Sequence, residues 1–155
     1  MNYKEMKEYY KGQFHEGERG SSFKEFLKKM LNKGNIKQKY IKTLLSDKHI
    51  KKYSKAFTSP TYDEQNNYEN YEQLGDLSIN KFIVWYIYKR FPQLNCPLGV
   101  KVAARLRINY GATKSLFGIG EKLGFWDYIS SSLEYRKTKK KALIEDTVEA
   151  FIGCT

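Results

Sequence analysis

The chain has 155 residues, a length typical of one domain and sufficient to bury a hydrophobic core. Its hydrophobic content of 41% argues against a disordered protein, and its two cysteines, Cys96 and Cys154, are too few for a disulfide framework or a paired Cys-x-x-Cys metal site. The formal charge of +11 indicates a polyanionic partner such as nucleic acid, less readily an anionic membrane surface, although basic side chains that only solubilise the protein would explain it equally well.

No segment of the chain resembles a secretion signal or a membrane span. Residues 1–8 are too polar for a signal peptide, and no apolar run reaches the length of a spanning helix. With so few cysteines, reduced thiols are the simplest expectation. We therefore expect an intracellular protein of a reducing compartment, cytoplasmic or nuclear, with no membrane partner.

The first third of the chain is predicted to be helical after a polar start. Residues 1–20 are polar, finish in a glycine-marked break and are expected to form an N-terminal extension. Apolar residues at helical spacing predict a first helix at 21–32, which Gly34 ends. Two more helices are expected at about 36–45 and 47–56, with their lysines on solvated faces.

An acidic segment opens the longest predicted helix, at about residues 68–90. Glu69, Glu72 and Asp76 stand at positions i, i+3 and i+7, so a helix places the three carboxylates along one face. The residues that follow are strongly apolar, so we expect a central helix that is buried on most sides. Gly75 lowers helix stability, which suggests a close approach by another backbone or by a ligand.

The remaining elements are also predicted to be helices. Apolar spacing predicts one helix at 97–110 and another at 112–123, and a turn region follows at 124–132. The last helix begins near Leu133 and is still helical in pattern at Thr155. Because no strand pattern of any length is present, the predicted fold class is all-α.

A second acidic pair lies in this last helix. Asp146 and Glu149 stand three residues apart and are surrounded by apolar positions. Two helices that bring their carboxylates to one point can hold a divalent metal through oxygen ligands, and Mg²⁺ suits such a cluster. Acidic pairs on helix surfaces are common without a metal, but an unpaired charge within apolar sequence is expensive, which favours the metal hypothesis.

Both acidic segments resemble motifs of the ribonuclease III family. Residues 69–76, Glu-Asn-Tyr-Glu-Gln-Leu-Gly-Asp, match the signature Glu-x-x-Glu-Phe-Leu-Gly-Asp at every specified position but one. Residues 146–153 match the second motif, Asp-Thr-x-Glu-Ala-x-Ile-Gly, at every specified position. Shorter similarities flank the signature at 56–59 and 88–92, and the whole resemblance covers about residues 50–155. Two ordered motifs with their flanks are a specific signal.

The resemblance implies a fold and a domain organisation. The expected fold is the all-α endonuclease domain of ribonuclease III, a helical bundle around the signature helix, at residues 21–155. A double-stranded-RNA-binding domain commonly follows this domain in the family. The sequence stops within a helical pattern, so we expect a truncated C-terminal helix, with a naturally minimal protein as the alternative.

The resemblance also implies a metal-dependent endoribonuclease. Such an enzyme hydrolyses double-stranded RNA and, when dimeric, leaves 5′-phosphate and 3′-hydroxyl ends with short 3′ overhangs. The implied cofactor is Mg²⁺, with Mn²⁺ as a substitute, and a pair of ions about 3.5–4 Å apart can activate water and neutralise phosphate charge. The implied catalytic residues and metal ligands are Glu72, Asp76, Asp146 and Glu149. Glu69 matches a further catalytic position that helps to organise the site.

A basic run precedes the second motif and is the main candidate for RNA contact. It could be plain solvated surface, but its position beside the proposed site favours contact with an RNA backbone. Duplex RNA is recognised mainly through phosphates and 2′-hydroxyls, which requires cations and hydroxyls. The candidate RNA-binding residues are Arg105, Arg107, Arg136, Lys137, Lys139, Lys140 and Lys141.

Family members act as dimers joined through the signature helix, which implies a homodimer with Gln73 and Gly75 at the contact. Gln73 stands where the family has a Phe that inserts into the partner, so a heterodimer stays open. Asn95-Cys96 stands in place of an acidic residue with a peripheral metal role. Two alternatives remain: a non-catalytic ribonuclease III-like subunit that binds RNA or pairs with another chain, and a basic helical protein unrelated to nucleases.

Overall fold

Helices dominate the computed structural model, which describes residues 2, 4–5, 11–110 and 113–155. Within these residues the helices are α1 Ser21–Lys33, α2 Gln38–Leu44, α3 Asp47–Ala56, α4 Glu69–Arg90, α5 Pro97–Tyr110, α6 Thr113–Lys122, α7 Leu133–Thr138 and α8 Lys140–Cys154. Short 3-10 turns lie at Lys11–Gln13, Pro92–Leu94 and Phe125–Tyr128. The all-α prediction is confirmed. Ala112, the predicted start of the sixth helix, lies outside the described residues, as do residues 1, 3 and 6–10.

Two details of the predicted secondary structure are wrong. The single helix expected from Leu133 is broken at Lys139, whose φ of −128° and ψ of 38° are not helical and separate α7 from α8. The described chain also contains one small sheet, in which β1 (Phe14–His15) pairs antiparallel with β2 (Ser131–Ser132). Strands of two residues are too short to leave an alternating pattern in the sequence.

The core forms around aromatic side chains of four separate segments. Phe26 of α1, Phe57 after α3 and Phe125 after α6 lie with ring centroids 5.3–5.8 Å apart. Phe151 of α8 completes the group at 5.7 Å from Phe125. These rings bury a large apolar area and favour edge-to-face contacts, which orient the helices around them. The buried face of α1 follows the predicted helical spacing.

Residues 14–20, assigned above to an extension, pack against the domain. The Gly17 amide donates to the Ser130 hydroxyl at 2.9 Å, and a Cβ on Gly17 would meet the Tyr128 backbone. Arg19 donates to the carbonyls of Tyr128 at 2.6 Å and Phe57 at 3.3 Å. Backbone groups and one guanidinium make these contacts, and the Phe14 ring adds an edge-to-face contact with Tyr62 at 5.9 Å between centroids.

Most of the outer surface of α4 is exposed, so the expectation of a helix buried on most sides is wrong for the single chain. Gly75 and Ile87 are its buried residues, whereas Leu77, Phe82 and Trp85 are 68%, 59% and 55% exposed. These exposed side chains find no cover within the described chain, whereas Tyr71 and Ile79 of the same helix pack against the core. Helix α5 adds exposed apolar side chains at Leu98, Val100, Val102 and Ile108. No helix among the described residues has the length and apolar character needed to cross a membrane.

Candidate metal centre

Three of the predicted ligands converge where α4 and α8 cross. Glu72 from α4 and Asp146 and Glu149 from α8 each offer a carboxylate oxygen, and these oxygens all lie within 4.8 Å of one another. Glu149 is buried at 7% exposure, and the other two are half-buried. The i, i+3 spacing of Asp146 and Glu149 places both side chains on one face of α8. Such a set of oxygen donors is suited to a hard divalent cation.

A glycine in each motif lets the two helices approach closely enough for this convergence. A Cβ on Gly75 would meet the backbone of Glu149, and a Cβ on Gly153 would meet the Tyr71 carbonyl and the Gly75 amide. The close approach predicted for Gly75 is therefore made by the backbone of α8. Because Gly75 is buried in this crossing, it is removed from the candidate dimer contact. Gln73 is exposed on α4 and stays a candidate.

Burial and mutual repulsion raise the pKa values of all three carboxyls. Desolvation is the main cause in each case. It raises the pKa of Glu149 to about 8 and, with the negative charge of Asp146 and other neighbours, that of Glu72 to about 7. The pKa of Asp146 rises to about 6. The three groups therefore do not all carry charge at neutral pH, and a cation between them would favour their ionised forms.

Two further predicted residues, Asp76 and Glu69, lie at the margin of this cluster. Asp76 is exposed, and its Oδ1 atom accepts a hydrogen bond from the Asn80 amide at 3.1 Å. Its charge contributes to the raised pKa of Glu149. Glu69 is exposed in the first turn of α4 and contributes to the raised pKa of Glu72. Both residues thus add negative charge beside the three converging oxygens.

Sequence reasoning missed two residues of the site, Tyr68 and Glu145. The Tyr68 hydroxyl donates to the Asp146 Oδ2 atom at 3.0 Å, which opposes the effect of burial on the pKa of that carboxyl. Glu145 contributes to the raised pKa values of all three clustered carboxyls. Glu145 could have been noticed as the neighbour of Asp146. No local signal distinguishes Tyr68 from the other twelve tyrosines.

The structure divides the basic run into fixed and free side chains. The Arg136 guanidinium lies 3.7 Å from the centroid of the Trp126 ring and donates to the carbonyls of Trp126 at 2.9 Å and Ile129 at 3.0 Å. It therefore fixes the turn before β2, and its predicted contact with RNA stays a prediction. Lys140 pairs with Glu121 at 3.1 Å, and the Lys141 ammonium lies 5.8 Å from the Phe117 ring. Arg105, Arg107, Lys137, Lys139, Lys140 and Lys141 are all exposed.

Comparisons with known proteins agree with this architecture. Residues 69–155 match a family model described as the Ribonuclease III domain. A protein of Invertebrate iridescent virus 6, provisionally named ribonuclease 3, is 46% identical over 139 residues, which are 90% of this chain and 47% of that protein. The ribonuclease 3 of Lactobacillus johnsonii is 30% identical over 78% of this chain and 54% of its own length. The chain thus spans about half the length of these relatives.

A solved structure shares the fold. The nuclease domain of ribonuclease III from Campylobacter jejuni aligns with a TM-score of 0.61 and 24% sequence identity. The alignment covers 76% of this chain and 82% of that one. The structure of that relative is described as showing flexibility in the region involved in dimer formation.

Proposed function

The chain belongs to the ribonuclease III family, and from that premise we propose that it is the nuclease domain of a metal-dependent endonuclease for double-stranded RNA. The observation that carries the proposal is the convergence of Glu72, Asp146 and Glu149 within 4.8 Å. These residues come from two motifs that are separated by about half the chain, and a structural role for three like charges at one point would be costly.

The residues present fit a divalent cation. The donors are all carboxylate oxygens, which suits Mg²⁺ or Mn²⁺ rather than a soft metal. Burial and mutual repulsion raise the pKa of each donor, so the cluster is a place where positive charge is needed. Mg²⁺ held there supplies a Lewis acid that neutralises charge on the phosphate and promotes ionisation of water. We propose Asp76 as a fourth ligand and Glu69 as a residue that adds negative charge to the site.

We propose that several further side chains of this chain serve the reaction. The Glu149 carboxyl, with its pKa of about 8, holds or releases a proton near neutral pH in the metal-free protein. Lys137 and Lys139 are exposed before the second motif and are proposed to contact RNA phosphates. Arg105 and Arg107 are exposed on α5 and are proposed to extend this contact. The proposed products carry 5′-phosphate and 3′-hydroxyl ends, with short 3′ overhangs when two sites act together.

We further propose a homodimer formed through α4 and α5. Both helices expose large apolar side chains, and extended apolar patches mark protein interfaces. Gln73 lies on the same helix beside Leu74, which is 53% exposed. A polar residue at that position leaves a heterodimer as the second possibility. The free thiols of Cys96 and Cys154 accord with an intracellular, reducing compartment, which we also propose.

Cleavage of a labelled RNA duplex by the purified protein tests the proposal. We expect cleavage with Mg²⁺ or Mn²⁺, none with chelator, and no cutting of the corresponding single strand. Glu149→Gln should abolish cleavage while duplex binding is largely retained, because the variant lacks one metal ligand and keeps the basic surface. Glu25→Gln, an exposed position on α1, is the control and should cleave normally.

Other outcomes would favour the alternatives. Duplex binding by the wild-type protein without any cleavage, at every metal tested, would favour a non-catalytic subunit that binds RNA or pairs with another chain. The retained acids argue against that reading, since a subunit without catalysis has no need to bury three carboxyls together. Equal loss of binding and cleavage in Glu149→Gln would contradict its catalytic role.

A further inference from the structure

Tyr68 connects the two acidic motifs, and we propose that it is a positioning residue of the metal centre, which holds the Asp146 carboxylate in its metal-binding orientation. This inference rests on the proposed metal-dependent function. Tyr68 directly precedes α4 and is 3% exposed, so its ring lies in the core while its hydroxyl reaches the carboxylate cluster.

Three hydrogen bonds fix Tyr68 between three segments. Its backbone amide donates to the Thr58 carbonyl at 2.9 Å, and its own carbonyl accepts from the Glu72 amide at 2.8 Å. Its hydroxyl donates to the Asp146 Oδ2 atom at 3.0 Å. Tyr68 thus links the main chain of Glu72 to the side chain of Asp146, and both of these residues are proposed ligands.

The segment that carries Thr58 is itself held firmly. The Ser59 amide donates to the Ser130 carbonyl at 2.8 Å, and the Ser130 amide donates to the Phe57 carbonyl at 2.9 Å. Ser59 is fully buried, and its side chain also interacts with the Tyr68 hydroxyl. With its main chain bonded on both sides and its ring buried, Tyr68 has little freedom to move away from Asp146.

The phenol has a clear physical effect on the carboxylate. Asp146 lies beside other carboxyls, and repulsion among them favours side-chain orientations that point apart. A donor fixed on Oδ2 restricts rotation of the carboxylate and leaves its second oxygen available to a cation. Partners of this kind around metal ligands typically change metal affinity about 10–100-fold when removed. A purely packing role would be filled equally well by Phe, so the hydroxyl oxygen is the atom to test.

The test is metal binding by Tyr68→Phe in the absence of RNA. Affinity for Mg²⁺ is measured by calorimetry and for Mn²⁺ by the loss of the free-ion signal in electron paramagnetic resonance. We expect both affinities to fall by about 10–100-fold, with the circular dichroism spectrum of the wild type. Tyr53→Phe is the matched control. Tyr53 is fully buried and its hydroxyl hydrogen-bonds to the Thr155 hydroxyl at 3.0 Å, so the variant loses a comparable bond without touching a carboxylate.

The outcomes separate this inference from the proposed function. Unchanged metal affinity in Tyr68→Phe, or the same loss in Tyr53→Phe, would overturn the positioning role. In an Asp146→Ala background, which lacks the acceptor of the Tyr68 hydroxyl, Tyr68→Phe should cause no further loss, and an undiminished further loss would also overturn it. A selective loss in Tyr68→Phe combined with no RNA cleavage by the wild type would support the inference and refute only the proposed reaction. A wild-type protein that binds neither metal would refute both.

Discussion

Removing the charge of Glu149 should stabilise the metal-free protein at alkaline pH. Burial among like charges raises the pKa of this carboxyl from 4.5 to about 8. A carboxyl whose pKa is higher in the folded state stabilises that state only where it is protonated. The contribution of this carboxyl to the free energy of unfolding is therefore complete below pH 4.5 and is lost as the pH rises through 8, because the unfolded chain releases the proton at a lower pH. Glu149→Gln mimics the protonated form at nearly the same size.

The magnitude follows from the size of this pKa difference. One pKa unit corresponds to about 1.4 kcal/mol, so a rise from 4.5 to about 8 amounts to at most about 5 kcal/mol. Glu72 and Asp146, with pKa values of about 7 and 6, also retain protons in part of this range, and water screens the repulsion. We therefore expect a gain of about 2 kcal/mol at pH 8, which is about 4–8 °C in Tm for a chain of this size.

Thermal melts in chelator at pH 5 and pH 8 provide the assay. Glu149→Gln should melt above the wild type at pH 8, and the difference should shrink at pH 5, where the wild-type carboxyl is protonated. Glu25→Gln, on the exposed face of α1, should match the wild type at both pH values. Millimolar Mg²⁺ should raise the Tm of the wild type more than that of Glu149→Gln, because the variant has lost a ligand. A variant that melts at or below the wild type at pH 8 would refute the reasoning.

Further variants test the helix crossing and the basic run. Gly153→Ala places a methyl against the Tyr71 carbonyl, so we expect about 1–3 kcal/mol of destabilisation and weaker Mg²⁺ binding. Gly118→Ala is the control: its Cβ meets nothing within 4 Å, so this variant should be neutral or stabilising in the same melts. Lys137→Ala should weaken duplex binding and reduce its salt dependence by about one ion without changing Tm. Arg136→Ala should instead lower the Tm, and a change confined to its RNA affinity would contradict the structural role.

The acidic ligands could be predicted from the sequence, but their supporting tyrosine could not. Glu72, Asp146 and Glu149 belong to motifs in which residue type and spacing are both specified, so each motif can be recognised from its local sequence. The hydrogen bond between Tyr68 and Asp146 joins residues 78 positions apart. Its existence depends on how α4 and α8 cross, and that geometry is absent from any local pattern. Gly75 could be predicted to allow a close approach, although the approaching backbone could not be identified.

The backbone contacts of two arginines could not be predicted from the sequence, for a shared physical reason. Arg19 and Arg136 lie in polar or basic sequence, where solvent exposure is the ordinary expectation. In the structure both guanidiniums donate to carbonyls of residues 126–129, in and just after the 3-10 turn Phe125–Tyr128. A guanidinium offers five donors, so it can satisfy several such carbonyls at once. The charge pattern cannot indicate which cations serve the backbone, because the positions of the accepting carbonyls depend on how the chain folds.

The apolar sequence of α4 raises a different question, because it predicts burial that the chain alone does not provide. Leu77, Phe82 and Trp85 are each more than half exposed, although their pattern is that of a buried helix. An apolar pattern predicts that the helix is buried in the functional assembly, either within its own chain or against another one. Within the described chain α8 covers one face of α4 and supplies two of the three clustered carboxyls there. A second subunit on the opposite face would reconcile the pattern with the exposure, and would place each metal centre on the far side of α4 from the subunit contact.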